Sequence, residues 1–149
     1  MITLRLTTDK ELILSTLCEP IIWKKTRCDG EDMKSFQIPP TSLYFKILND
    51  GEYTGLLEVL EQNSITLTIH YYVLPQYWGK KIGVNSLQCL IKFLQHNLPY
   101  KKLITWTADE QKQVIQAALE GGFQIEGHLT NACMFNNTIQ GVTILGMEI

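Results

Sequence analysis

"VLPQYWGKKIG", residues 73–83, joins a strand-like run to a helix-like run through a proline, an aromatic pair, two glycines and two lysines. The run before it, Ile65–Leu74, is apolar on both faces and rich in β-branched and aromatic residues. That composition describes a central strand covered on both sides. After it, Leu87, Leu90, Ile91, Leu94 and Leu98 recur at three- and four-residue spacing, which is one face of an amphipathic helix. Pro99 stops it. A helix that starts at the carboxyl end of a central strand leaves several backbone N–H groups without partners, and its dipole adds partial positive charge there. Such a turn suits a phosphate. Gly79 and Gly83 allow close backbone approach, and Lys80 and Lys81 add two cations. A plain connector is the competing reading, because glycine-containing strand-to-helix turns are common. The G-x-x-x-x-G-K phosphate loop is absent, as is the G-x-G-x-x-G dinucleotide fingerprint.

Upstream, "SLYFKIL", "TGLLEVLE" and "ITLTIHYYVL" are three strand patterns separated by "NDGEY" and "QNS". Asn-Asp-Gly between apolar runs marks a hairpin, because these residues tolerate positive φ. "ITLRL" reads as a first strand, and "TTDKELILSTL" as a helix with Thr or Asp candidates for its N-cap. Residues 18–40 mix prolines, Asp-Gly and charges, which predicts a short helix or two within a long loop. Downstream, "KKLITWT" is a buried-looking strand, and its connection through the helix makes it a parallel neighbour of Ile65–Leu74. "ADEQKQVIQAALEGG" reads as a second helix, with Asp109 as N-cap and Gly121 or Gly122 as C-cap. "FQIEGHLTNACMF" and "GVTILGMEI" are two closing strands flanking "NNTIQ". The whole is an α+β domain on one mixed sheet, spanning residues 1–149.

Composition narrows the function classes. Of the 149 residues 45% are hydrophobic and 19% charged, the balance of a globular chain. A net charge of −2 offers no field for nucleic acid or an anionic membrane. The sequence shows neither a signal peptide nor an apolar run of about 18 residues, so the expected location is cytoplasmic. Cys18, Cys28, Cys89 and Cys133 never form a C-x-x-C pair, which points to isolated, mostly buried thiols and to no metal site.

Taken together, these segments resemble the GNAT family of N-acetyltransferases, and within it the subgroup that acetylates ribosomal-protein N-termini. "YWGKKIG" matches that subgroup's turn at Tyr77, Trp78, Gly79, Lys80, Ile82 and Gly83, and departs at Lys81, where the family has glycine. "QVIQAALEGGFQIEG" is similar to the helix ending in Gly-Phe, and "NNTIQGVTILGM" to the closing hairpin. The resemblance implies a GNAT-like fold, a mixed and mostly antiparallel central sheet with helices on both faces. It implies acetyl-CoA as co-substrate and direct transfer to a primary amine on a protein N-terminus, a lysine or a small molecule. The implied cofactor-binding residues are Val73, Leu74, Trp78, Gly79, Lys80, Lys81, Ile82, Gly83 and Gln111. Among these, backbone N–H groups near Val73 and Leu74 would polarise the thioester carbonyl, and Gln111 stands where the family often has an asparagine. No nucleic acid, membrane or metal is implied, and a homodimer stays open.

The candidate catalytic residues are His70 and Glu58. His70 shares a strand face with Thr68 and Tyr72 and titrates near working pH, so it is either a proton relay or a hydrogen-bonded sheet histidine. Glu58 is either a general base or a solvated face residue. Trp23 is a substrate wall or a packing residue, and His96 and His128 read as partnerless surface residues. Thr68 and Ala118 replace a glutamate and a tyrosine that the family often carries there. The departures at Lys81, Gln111, Ala118 and Thr68 motivate an alternative, a catalytically silent binding module of the same fold. An open V beside residues 73–83 would count against that alternative.

Overall fold

The computed structural model describes every residue from Met1 to Ile149. Seven strands form one sheet in the order β1-β2-β3-β4-β5-β7-β6. They are β1 (Ile2–Thr7), β2 (Leu43–Asn49), β3 (Glu52–Asn63), β4 (Thr66–Val73), β5 (Lys102–Ala108), β6 (Gln124–Phe135) and β7 (Thr138–Glu148). All neighbours pair antiparallel except β4 and β5, which are parallel. The helices are α1 (Lys10–Leu17), α2 (Pro20–Thr26), α3 (Ile82–Asn97) and α4 (Lys112–Glu120). None is long and apolar enough to cross a membrane.

Alternation along the strands builds two cores. Leu57, Val59, Leu67, Ile69, Leu103 and Leu145 face one way, against Ile82, Leu87, Leu90 and Leu94 of α3. Leu56, Tyr44 and Tyr72 face the other way, against Ile13, Leu17 and Ile22 of α1 and α2. Period 2 in the strands and 3.6 in the helices therefore place helices on both sides of the sheet. Asp9 caps α1 by accepting from the Leu12 N–H at 3.1 Å. The loop of residues 18–40 contains α2 and a single 3₁₀ turn at Met33–Ser35, as its composition predicts.

Turn chemistry fixes the hairpins. Asp50 and Gly51 take φ of 50° and 87° between β2 and β3, and Asn136 and Asn137 take 49° and 58° between β6 and β7. The second hairpin is tighter than the sequence reading, because β7 begins at Thr138, inside "NNTIQ". Asp109 does not cap α4. Its carboxylate instead accepts from Thr143 Oγ1 at 2.7 Å and pairs with His128 Nε2 at 2.5 Å, which also gives His128 a partner. Helix α4 starts after Gln111 with no side-chain cap. The thiols are neither fully buried nor all isolated. All four are partly exposed, and Cys28 and Cys133 face each other, which together with burial raises the Cys28 pKa.

One glycine is indispensable. A Cβ at Gly55 would lie 2.3 Å from the Tyr72 carbonyl oxygen, at a φ of +155°. Gly83 has only a Tyr71 ring carbon at 4.0 Å. Gly55→Ala is expected to cost about 3 kcal/mol in urea unfolding, and Gly83→Ala less than about 1 kcal/mol. Equal midpoints for the two variants would contradict the close approach of β3 to β4.

Candidate active site

The parallel ladder between β4 and β5 has only three rungs, Thr66–Lys102, Leu67–Leu103 and Thr68–Ile104. Beyond them β4 continues to Val73 and β5 to Ala108, each still paired on its other side. The two facing edges are therefore open, and a V lies between them. The Leu74 N–H donates to Thr54 O at 2.9 Å, so it is committed to β3 and does not face the V. This corrects the expectation for Leu74. Antiparallel pairing alternates, and Val73, one residue earlier, turns its own N–H away from β3 and into the V.

The turn of residues 73–83 is built by local bonds. The Tyr77 N–H donates to Leu74 O, and the Trp78 N–H to Pro75 O, closing a 3₁₀ turn. Trp78 Nε1 donates to Val73 O at 2.7 Å and pins the turn to the strand end. No hydrogen-bond partner within the protein accepts from the N–H groups of Gly79, Lys81, Ile82, Gly83 or Val84. Gly79 has φ +75°, and a Cβ there would meet nothing within 4 Å. Lys81 takes φ 56° and ψ 22°, the left-handed conformation, directly before α3. That geometry explains why glycine suits the position, and the lysine adopts it regardless. The Lys81 side chain is exposed, and Lys80 Nζ lies 5.3 Å from the Tyr77 ring centroid. Five unpartnered donors at and just before a helix N-terminus, with open space at the two glycines, suit the pyrophosphate of a CoA thioester.

On the α1–α2 side of the V stands His70, directly opposite Glu58 in the β3–β4 register. Glu58 is buried, 7% exposed, and its two oxygens accept from Tyr44 at 2.9 Å and Tyr72 at 2.7 Å. It is not a solvated face residue. Burial pulls the His70 pKa below 6.5, the Glu58 charge opposes that pull, and Arg27 adds to it. Burial and the same carboxylate push both tyrosine pKa values up. Across the V, the half-exposed Trp106 of β5 meets His70 edge-on, with ring centroids 5.5 Å apart. Thr68 is buried and Ala118 packs at the edge of the core, so neither supplies a base or acid.

The chain after α1 roofs this face. Gln111 Nε2 donates to Lys25 O at 2.7 Å, tying α2 to the start of α4. The Asp29 N–H donates to Met134 O at 2.8 Å, and the Asn137 N–H to Asp29 Oδ2 at 2.6 Å, tying the loop to the β6–β7 hairpin. Trp23 packs edge-on against Phe36 at 5.4 Å, and the Arg27 guanidinium lies over both rings. Val73, Trp78, Gly79, Lys80, Lys81, Ile82 and Gly83 thus cluster at one end of the V, while His70 and Glu58 share its other face. Tyr44, Tyr72 (named only as sharing a strand face with His70), Trp106 and Arg27 were missed as site residues in the sequence. A buried tyrosine needs a hydroxyl partner, which was the one available signal for the first two.

If Lys81 holds a left-handed backbone, Lys81→Gly should raise stability by about 0.5–1 kcal/mol in urea at unchanged m-value. A loss of stability would contradict that conformation.

Comparison with known proteins agrees with this fold. The spermidine N-acetyltransferase from Vibrio cholerae, solved in complex with CoA and spermine, superposes with a TM-score of 0.82 at 19% identity, covering 99% of this chain and 95% of that one. An acetyltransferase of the GNAT family from Streptococcus pneumoniae superposes with a TM-score of 0.79 at 14% identity over 100% of both chains. No curated protein matches the sequence. The model of the acetyltransferase (GNAT) family matches residues 11–123. With the open V, the unpartnered turn and that match, the chain belongs to the acetyltransferase (GNAT) family.

Proposed function

We propose that this chain is an acetyl-CoA-dependent N-acetyltransferase that passes an acetyl group directly to a primary amine. The observation that carries the proposal is the open V between β4 and β5, ending at five unpartnered N–H groups. A filled or closed V would have favoured the silent binding module. When bound, the acetyl thioester supplies the electrophilic carbonyl. The turn of residues 79–84 would hold its pyrophosphate, and the Val73 N–H faces the region where its carbonyl would lie. The likeness of "YWGKKIG" to the ribosomal-protein subgroup supports a protein N-terminus as acceptor, alongside lysines and small amines.

Most of the rate in such a transfer comes from positioning and carbonyl polarisation, so the missing glutamate and tyrosine are not decisive. In the transfer the C–N bond would form as the thioester C–S bond breaks, CoA would leave as the thiol by taking up one proton, and the amine must lose one. His70 is the group suited to take it, because burial keeps the imidazole neutral at pH 7 with a lone pair free. Glu58, fixed by two hydroxyls, is a positioning residue that partly offsets the burial cost of a protonated His70.

Acetyl-CoA at 100 times its Kd should stabilise the protein by about 2.7 kcal/mol, read as a rise in Tm. No shift at millimolar ligand would sink the proposal. The folded His70 pKa lies below the unfolded value, so its linked stability is full above about pH 6.5 and is lost as pH falls through the lowered value. The acid limb of kcat/KM, expressed per neutral amine, should accordingly lie below pH 6.5. His70→Gln should lower kcat by about 100-fold and abolish that limb. An unchanged profile would remove His70 from the chemistry.

A further inference from the structure

We infer that Arg27 recognises a carboxylate on the acceptor, so the preferred substrate is an amine that also carries a carboxylate, not a polyamine. The inference rests on the N-acetyltransferase reading. It begins from the placement of Arg27 between two clasps, Lys25 on Gln111 and Asp29 on Met134. These clasps hold the segment across the face that carries His70. The guanidinium carbon lies 4.5 Å from the Phe36 ring centroid and 5.3 Å from that of Trp23. The side chain is only 19% exposed.

This cation makes no hydrogen bond, and its one ion pair, to Glu31, is loose. Its Nε is sealed from solvent with no hydrogen-bond partner. Its one nearby carboxylate, Glu31, stands 3.9 Å from Nε, too far for a hydrogen bond. Glu58, the other acid on this face, already accepts from two tyrosine hydroxyls. Only Nε is sealed; the two Nη atoms carry no hydrogen bond and stay open, and that planar fork matches a carboxylate in two-point geometry. Phe36, beneath the guanidinium, packs against the cluster that holds Tyr44 and Tyr72, the two tyrosines on Glu58, which places Arg27 on the same face of the sheet as His70. A second ammonium on the substrate would meet repulsion there, whereas a carboxylate would complete the site and orient the amine toward His70.

Two sources carry this chemistry, a free amino acid and a peptide with an acidic residue near its N-terminus. Calorimetry in the presence of CoA would compare an amino acid with its carboxamide, and a tripeptide amide bearing Asp at its second position with the Asn version. Spermidine serves as the polycation arm. The acid member of at least one pair should bind about tenfold or more tightly in the native protein, and the responding pair identifies the source. Arg27→Met should erase that preference and Arg27→Lys retain part of it. Equal binding within both pairs, a preference that survives Arg27→Met, or tighter binding of spermidine would overturn the inference. If Arg27→Met fails to fold, the native pairwise comparison decides alone. Acetyl transfer to amines without acid preference would overturn the carboxylate site and leave the enzyme reading intact. Arg27-dependent acid binding without any transfer would do the reverse.

Discussion

The structure depends on the parting of two parallel strands. β4 and β5 share three rungs and then separate, each held on its outer side by a full antiparallel partner. The sheet therefore stays intact while two facing edges go unpaired. Unpaired backbone groups are costly when buried, so an opening of this kind is stable only where solvent or a ligand can satisfy them. The exit of β4 feeds straight into the start of α3, which adds the free N–H groups of a helix terminus to the same opening. Slot and phosphate cradle thus arise from one topological event.

The two faces of the sheet then divide the work. The side covered by α3 and α4 is apolar and supplies most of the core. The side covered by α1 and α2 gathers Glu58, Tyr44, Tyr72, His70 and Arg27 around the V. Its roof is pinned to the far half of the sheet by Gln111 and Asp29, so residues distant in sequence are held over one opening. His70 is balanced between desolvation and the Glu58 charge, which leaves it neutral without removing its capacity for a proton.

Much of the fold was legible in the sequence. Period-2 and period-3.6 patterns, Asn-Asp-Gly and Pro99 fixed element types and order, because each reports local geometry. The turn at residues 73–83 was legible too, but the meaning of Lys81 was not. Whether its Cβ blocks the approach depends on backbone dihedrals, and the left-handed conformation keeps the side chain out in solvent. Asp109 was misread as a cap because Thr143 and His128, brought near by β6–β7 pairing, compete for its carboxylate. Gln111 likewise spends its amide nitrogen on Lys25 O, a contact across 86 residues that no local pattern announces. Arg27 was invisible for the same reason, since its significance lies in what fails to meet it.

The central claim is that the turn and the V hold a CoA thioester through backbone N–H groups. Amide NMR of the labelled protein during titration with CoA tests it most directly. The resonances of Val73, Gly79 and Lys81–Val84 should move together and saturate at one Kd. The shallow groove beside α4, about 430 Å³ and lined by Asp109, Ile115 and His128 among others, should stay quiet. Shifts concentrated in that groove, with the turn unmoved, would contradict the account.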